Sequence, residues 1–111
     1  MATENRCLTE SELKSLSGNI EIFLDFLKAD EIVFKLLARG IISMRDKDTV
    51  LTKPTPHEQN HELFKIICGL SWVKVKAFCE VLKQNELGHL AKLIRLEELK
   101  NAPYVTQPVK N

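Results

Sequence analysis

Apolar residues recur every three or four positions along nearly the whole chain, and no stretch alternates apolar with polar residues. The first spacing paints one face of an α-helix; the missing alternation removes the period-two signature of a half-buried strand. Leu13, Leu16, Ile20, Phe23, Leu24 and Leu27 form the first stripe and predict one long helix, with Thr9 and Glu12 in capping-box spacing at its start. Ile32, Val33, Leu36 and Leu37 predict a second helix, with Asp30 as its cap and Gly40 as its terminator. Ser43 and Asp46 open a short third helix ending near Thr52, whose strong apolar positions are Met44, Val50 and Leu51.

Lys53-Pro54-Thr55-Pro56 is the clearest break in the pattern. Thr55 is placed to cap a fourth helix, with Pro56 in its first turn and Glu58 completing a capping box. That helix turns Leu63, Phe64, Ile67 and Leu70 inward and ends near Gly69. Ser71 caps a fifth helix built on Val75, Phe78, Cys79 and Leu82. Asn85-Glu86-Leu87-Gly88 interrupts it, and a sixth helix carries Leu90, Leu93 and Ile94. The expectation is an all-α fold, a bundle of six helices spanning residues 9–101. Residues 1–8 are expected to form a flexible N-terminus and residues 102–111, with Pro103 and Pro108, a flexible tail or linker.

A chain of 111 residues suits one domain with one modest core. With 44% hydrophobic and 28% charged residues it reads as globular, and a net charge of +1 offers no reason to expect nucleic acid or an anionic membrane as partner. The charge is unevenly spread. Residues 1–40 hold five basic and seven acidic groups, whereas residues 72–111 hold seven basic and four acidic, an asymmetry that suits head-to-tail association. Cys7, Cys68 and Cys79 have no paired spacing, and the last two fall inside helical stripes, so buried thiols in a reducing compartment are expected. Met1–Leu8 is polar, unlike a secretory leader, and no apolar run approaches membrane-spanning length; the expected location is cytoplasmic.

His57-Glu58-Gln59-Asn60-His61 matches the H-E-x-x-H pattern of zinc proteases, in which two His one turn apart bind the metal and the Glu acts as base. Here the pattern overlaps the cap at Thr55, its variable positions are polar, and the third ligand would have to be Glu80, Glu86 or His89, none in a recognisable second motif. A small zinc hydrolase is therefore the lesser alternative. No catalytic residue, cofactor or resident metal is expected, and no glycine-rich phosphate loop is present, since Gly18, Gly40, Gly69 and Gly88 lie far apart.

The order of Leu24-Asp25-Phe26-Leu27, Asp30-Glu31-Ile32, Leu36 to Ser43 with its Gly-Ile-Ile exit, Val50 with Pro54-Thr55, Ala77 to Leu82, and Gly88-His89-Leu90-Ala91 resembles the caspase recruitment domain (CARD) of the death-domain superfamily. The resemblance covers roughly residues 13–95. Each piece is weak alone, and their order and spacing carry it. Departures are Ser71-Trp72, where the family often has Gly-Pro, and Val75, where it often has an aromatic. The death-effector fold is the nearest competitor, with Arg95-Leu96-Glu97-Glu98-Leu99 a loose echo of its late R-x-D-L-L.

What the resemblance implies is a six-helix antiparallel Greek-key bundle and homotypic docking, with other CARD-containing proteins, a caspase or an adaptor, as partners and self-assembly possible. The whole protein would be an initiator-caspase prodomain, an adaptor, or a CARD-only decoy regulator acting in apoptotic or innate immune signalling. Carried onto this chain, the family's acidic surface falls on Asp30 and Glu31 beside Lys35, and on Asp46 and Asp48 interleaved with Arg45 and Lys47. The basic counterpart is thin, Lys14 and Lys65. Trp72, at the corner before the fifth helix, belongs in the family to a packing surface, and Trp is over-represented among interface hot spots. A Trp folded onto its own core is the equal alternative.

Overall fold

The computed structural model describes residues 6–97. All regular structure among them is helical: α1 (Glu10–Ser17), α2 (Ile20–Phe26), α3 (Ala29–Ala38), α4 (Met44–Leu51), α5 (Pro56–Cys68), α6 (Trp72–Gln84) and α7 (Gly88–Ala91). The expected tail at 102–111 lies outside the described residues.

The long first helix is broken in two. At Gly18 the amide still donates to the Lys14 carbonyl at 2.8 Å, but the next amide, Asn19, reaches back only to Leu16 at 3.0 Å. Asn19 leaves helical geometry (φ −118°, ψ 22°) while its side-chain amide donates to the Ser15 carbonyl at 2.7 Å, the local competition that makes Asn a poor helix interior. The apolar stripe survives the break: Leu16, Phe23 and Leu27 are buried, because a rigid turn between two short helices preserves the facing of both.

Asp30 does not cap α3. The capping position falls on Lys28, held in the left-handed region (φ 56°, ψ 51°), which leaves Asp30 and Glu31 exposed in the first turn, where carboxylates suit the helix dipole. The exit follows expectation. Gly40 at φ 73° lets its own amide reach the Leu37 carbonyl and that of Ile41 reach Leu36, both at 3.0 Å, a paired closure that satisfies two end carbonyls. Ser43 and Asp46 make the full reciprocal cap of α4. At α5 the Thr55 hydroxyl accepts from the Glu58 amide at 3.1 Å, but it also donates to the Glu58 carboxylate at 3.2 Å, so the box is not reciprocal through the backbone. Ser71 precedes α6 without a side-chain cap. The sixth predicted helix shrinks to the single turn of α7 and continues as tight turns, Leu93 to Leu90 and Ile94 to Ala91.

One core joins all seven helices: Leu16 of α1, Phe23 of α2, Ile32, Val33 and Leu36 of α3, Val50 of α4, Leu63, Phe64 and Ile67 of α5, Val75, Phe78 and Leu82 of α6, and Leu90 of α7. Packing runs α2 on α5, α3 on α4, α5 and α6, and α6 on α7. Phe23 and Phe64 meet with ring centroids 5.5 Å apart, tying α2 to α5. Met44, an expected core position, is instead 58% exposed: it is the first residue of α4 and points away from the face that buries Val50.

Residues 6–8 belong to the domain. Leu8 is buried in the core, and the Trp72 amide donates to the Arg6 carbonyl at 2.7 Å. The Glu12 carboxylate, fully buried, takes both Arg6 guanidinium nitrogens at 2.8 Å, the Thr9 amide at 2.8 Å and the Glu97 amide at 2.7 Å. These four charge-assisted bonds hold the carboxyl at about 2, well below its usual 4.5, against the opposing pull of burial; the Arg6 bonds are the largest cause. A second polar group is buried far from this one. The Asn60 side chain accepts from the Ala29 amide at 2.8 Å and donates to the Leu24 carbonyl at 2.6 Å, stapling the α2–α3 turn onto α5.

Candidate docking surface

Lys14, at the end of α1, is exposed and forms no ion pair among the described residues. Lys65 on α5 is exposed and lies 3.3 Å from Glu62, which also faces Lys53 at 3.8 Å, so its charge is partly answered within the chain. Asp46 spends its carboxylate on the Ser43 amide at 3.1 Å, and Arg45 beside it is exposed. Trp72 is only 7% exposed. Its indole N–H donates to the Glu97 carbonyl at 2.8 Å, and the Arg6 guanidinium and Lys76 ammonium lie 5.9 Å from its ring. The residue is part of the fold's closure, and little of its ring is free for a partner.

Further charges flank two exposed apolar residues, Phe34, which the periodicity passed over, and Met44, which it placed in the core. Phe34 is 52% exposed, and the Lys47 ammonium lies 5.9 Å from its ring. Asp30 stands one turn before Phe34 on α3, and Met44 one turn before Lys47 on α4, so the helical spacing places all four on the outer side of the α3–α4 pair. Lys47 also pairs with Asp48 at 2.9 Å. The outcome is an outer face of α3 and α4 that carries two exposed apolar side chains, Phe34 and Met44, among Asp30, Arg45, Lys47 and Asp48. Its sequence signal was present: Phe34 falls outside the stripe Ile32, Val33, Leu36, and a large aromatic on the wrong side of a complete stripe is either wasted or used.

A second apolar pair lies on α2. Ile22 and Phe26, 37% and 52% exposed, are one turn apart, and the Phe26 ring meets the edge of His89 at 6.0 Å. Glu31 and Lys35 line a small depression toward the α6–α7 turn.

His57, Glu58 and His61 are exposed, Glu58 is engaged with the Thr55 hydroxyl, and Asn60 of the same pentapeptide is the buried staple. No group of three His, Cys, Asp or Glu side chains is placed to hold a metal ion among the described residues. Burial pushes the Cys79 thiol up to about 11 and raises that of Cys68, which holds both as protonated, poorly nucleophilic groups; Cys7 is exposed. No helix among the described residues is long and apolar enough to cross a membrane.

No protein family, curated protein or solved structure matches the chain.

Proposed function

We propose that this chain is a protein-interaction domain of the CARD type, docking onto other CARD-containing proteins through the outer side of α3 and α4. The observation that carries the reading is the exposure of Phe34 and Met44: two large apolar side chains, each more than half exposed, outside a core that is already complete without them. Burying such surface against a partner is favourable at about 25 cal/mol per Å². The mixed charges around it would fix orientation at the rim. The helix order supports the same reading. Only Gly18 and Asn19 separate α1 from α2, so counting these as one interrupted helix brings the total to six. Exposed apolar side chains without His or Cys among the charges beside them favour recognition over chemistry.

Sedimentation velocity of the full chain across a concentration series, at low and at physiological salt, tests the proposal, with immobilised chain used in parallel to capture CARD-bearing proteins. Wild type is expected to self-associate or to retain a CARD partner, more strongly at low salt. Phe34→Ser should weaken that association about tenfold with no change in melting temperature, since an exposed side chain adds little to folding. A chain that stays monomeric and captures no CARD, or a Phe34→Ser variant that binds as wild type does, overturns the reading.

A further inference from the structure

We propose that the channel between α3 and the α6–α7 turn binds an extended acidic peptide segment. This goes beyond the docking reading, which concerns folded partners on the Phe34 side of α3, and does not depend on it.

The channel consists of two neighbouring depressions that share Lys35 and Asn85. The larger, about 330 Å³, is lined by Lys35, Ala38, Arg39, Val81, Gln84 and Asn85. The smaller, about 60 Å³, continues toward the start of α3 past Lys28 and Glu31. Three cations, Lys28, Lys35 and Arg39, therefore stand along one side, and none of them pairs with a carboxylate among the described residues. Arg39 is held in place: its Nη1 donates to Gln84 Oε1 at 3.1 Å across the channel. Ala38 and Val81 supply an apolar floor beneath the two cations at the wider end.

The arrangement of the charges selects the ligand. A compact polyanion such as a phosphate cluster calls for cations converging on a point. Here they form a row. At about 1.5 Å per residue, Lys35 and Arg39 are separated by about 6 Å along the helix, and Lys28 lies about 10 Å before Lys35. An extended chain advances about 3.3 Å per residue and sets alternate side chains on one face, so carboxylates two positions apart match the Lys35–Arg39 interval, and a third, two positions further on, reaches toward Lys28. Glu31 lines the smaller depression beside the row, and it opposes the ligand.

The test uses fluorescein-labelled Asp-Val-Asp-Val-Asp and fluorescence anisotropy with the full chain. Saturable binding that weakens with added salt is expected. Lys35→Gln combined with Arg39→Gln should weaken it about tenfold, as two charge contacts vanish together. Glu31→Gln should tighten it about twofold to threefold by removing the repulsion. Lys65→Gln, on α5, should leave it unchanged. All four side chains are exposed, and circular dichroism of each variant checks that the helices persist. The proposal is overturned by absence of saturable binding, by binding that ignores the double substitution, or by a Glu31→Gln variant no tighter than wild type. It is also overturned if sodium triphosphate displaces the probe at concentrations well below those of unlabelled peptide, since the site would then take a compact phosphate.

Discussion

Replacing Glu12 by Gln keeps the size and shape of the side chain and removes only its charge. In the folded protein that carboxylate accepts four hydrogen bonds, two from Arg6 and one each from the Thr9 and Glu97 amides. A carboxamide can accept on one side only, and its NH2 would face donors on the other. The charge itself is worth a definite amount. The carboxyl lies at about 2 in the fold against 4.5 for an ordinary glutamate. At about 1.4 kcal/mol for each tenfold, that gap stabilises the fold by about 3 kcal/mol at neutral pH. Because the folded value is depressed, the contribution is complete above the ordinary glutamate range and is lost as pH falls from there toward 2. At pH 3 about 1.4 kcal/mol of it should remain. Urea titrations of wild type and Glu12→Gln at pH 7 and pH 3, read by circular dichroism and by the fluorescence of the single tryptophan, measure both quantities. The stability difference should be about 3 kcal/mol at pH 7 and narrow by about 2 kcal/mol at pH 3. A difference below about 1 kcal/mol at neutral pH, or one equally large at both, would falsify the account, since the first denies the carboxylate its role and the second denies that its charge is the reason.

Other substitutions probe the remaining joints. Asn60→Ala leaves the Ala29 amide and the Leu24 carbonyl without their partner and should cost about 2–4 kcal/mol in a chemical-denaturation series, with the native helices retained at low denaturant. Lys28→Gly relieves a left-handed backbone and should raise the unfolding free energy by up to about 1 kcal/mol, while Gly40→Ala, at φ 73°, should lower it by about 1 kcal/mol. Trp72→Phe keeps the burial and removes the indole bond to Glu97, so it should cost about 1 kcal/mol and leave partner binding intact; selective loss of binding would restore Trp72 to an interface. Under alkylation followed by mass spectrometry, Cys7 should be modified first and Cys79 only on unfolding, in line with exposure and with the raised Cys79 thiol.

What periodicity and capping rules can see is local, and the local features were legible. The stripes through Val33 and Leu36, Leu63 and Ile67, and Phe78 and Leu82 mark buried faces, and the caps at Thr9, Ser43 and Thr55 form where their spacing places them. The misreadings share a different origin. The cap assigned to Asp30 was displaced by a tertiary bond: Asn60, 31 positions away, serves the Ala29 amide, and the helix starts from a cap two residues earlier, at Lys28. Glu12 read correctly as a capping glutamate, yet its larger task depends on Glu97, 85 positions on, which no window of sequence connects to it. For Trp72 the sequence left a docking anchor and a fold onto its own core equally open, since its neighbours in sequence are apolar; its neighbours in space are Arg6 and Glu97. The candidate surface was legible in part. Asp30, Lys47 and Asp48 were marked by charge, but the exposure of Phe34 and Met44 emerged only once the core was seen to close without them.

The ionic and aromatic closure described above also has a mechanical meaning. Glu12 and Trp72 each grip both Arg6 and Glu97, so the segment before α1 and the segment after α7 are fastened to the same two residues. Tension applied through those segments would load that clasp before it reached α3, α4 or α5. The domain would then yield in two stages under a pulling force, a short first extension as residues 6–8 and 95–97 peel away, then rupture of the core. Acid, by protonating Glu12, would soften the first stage alone.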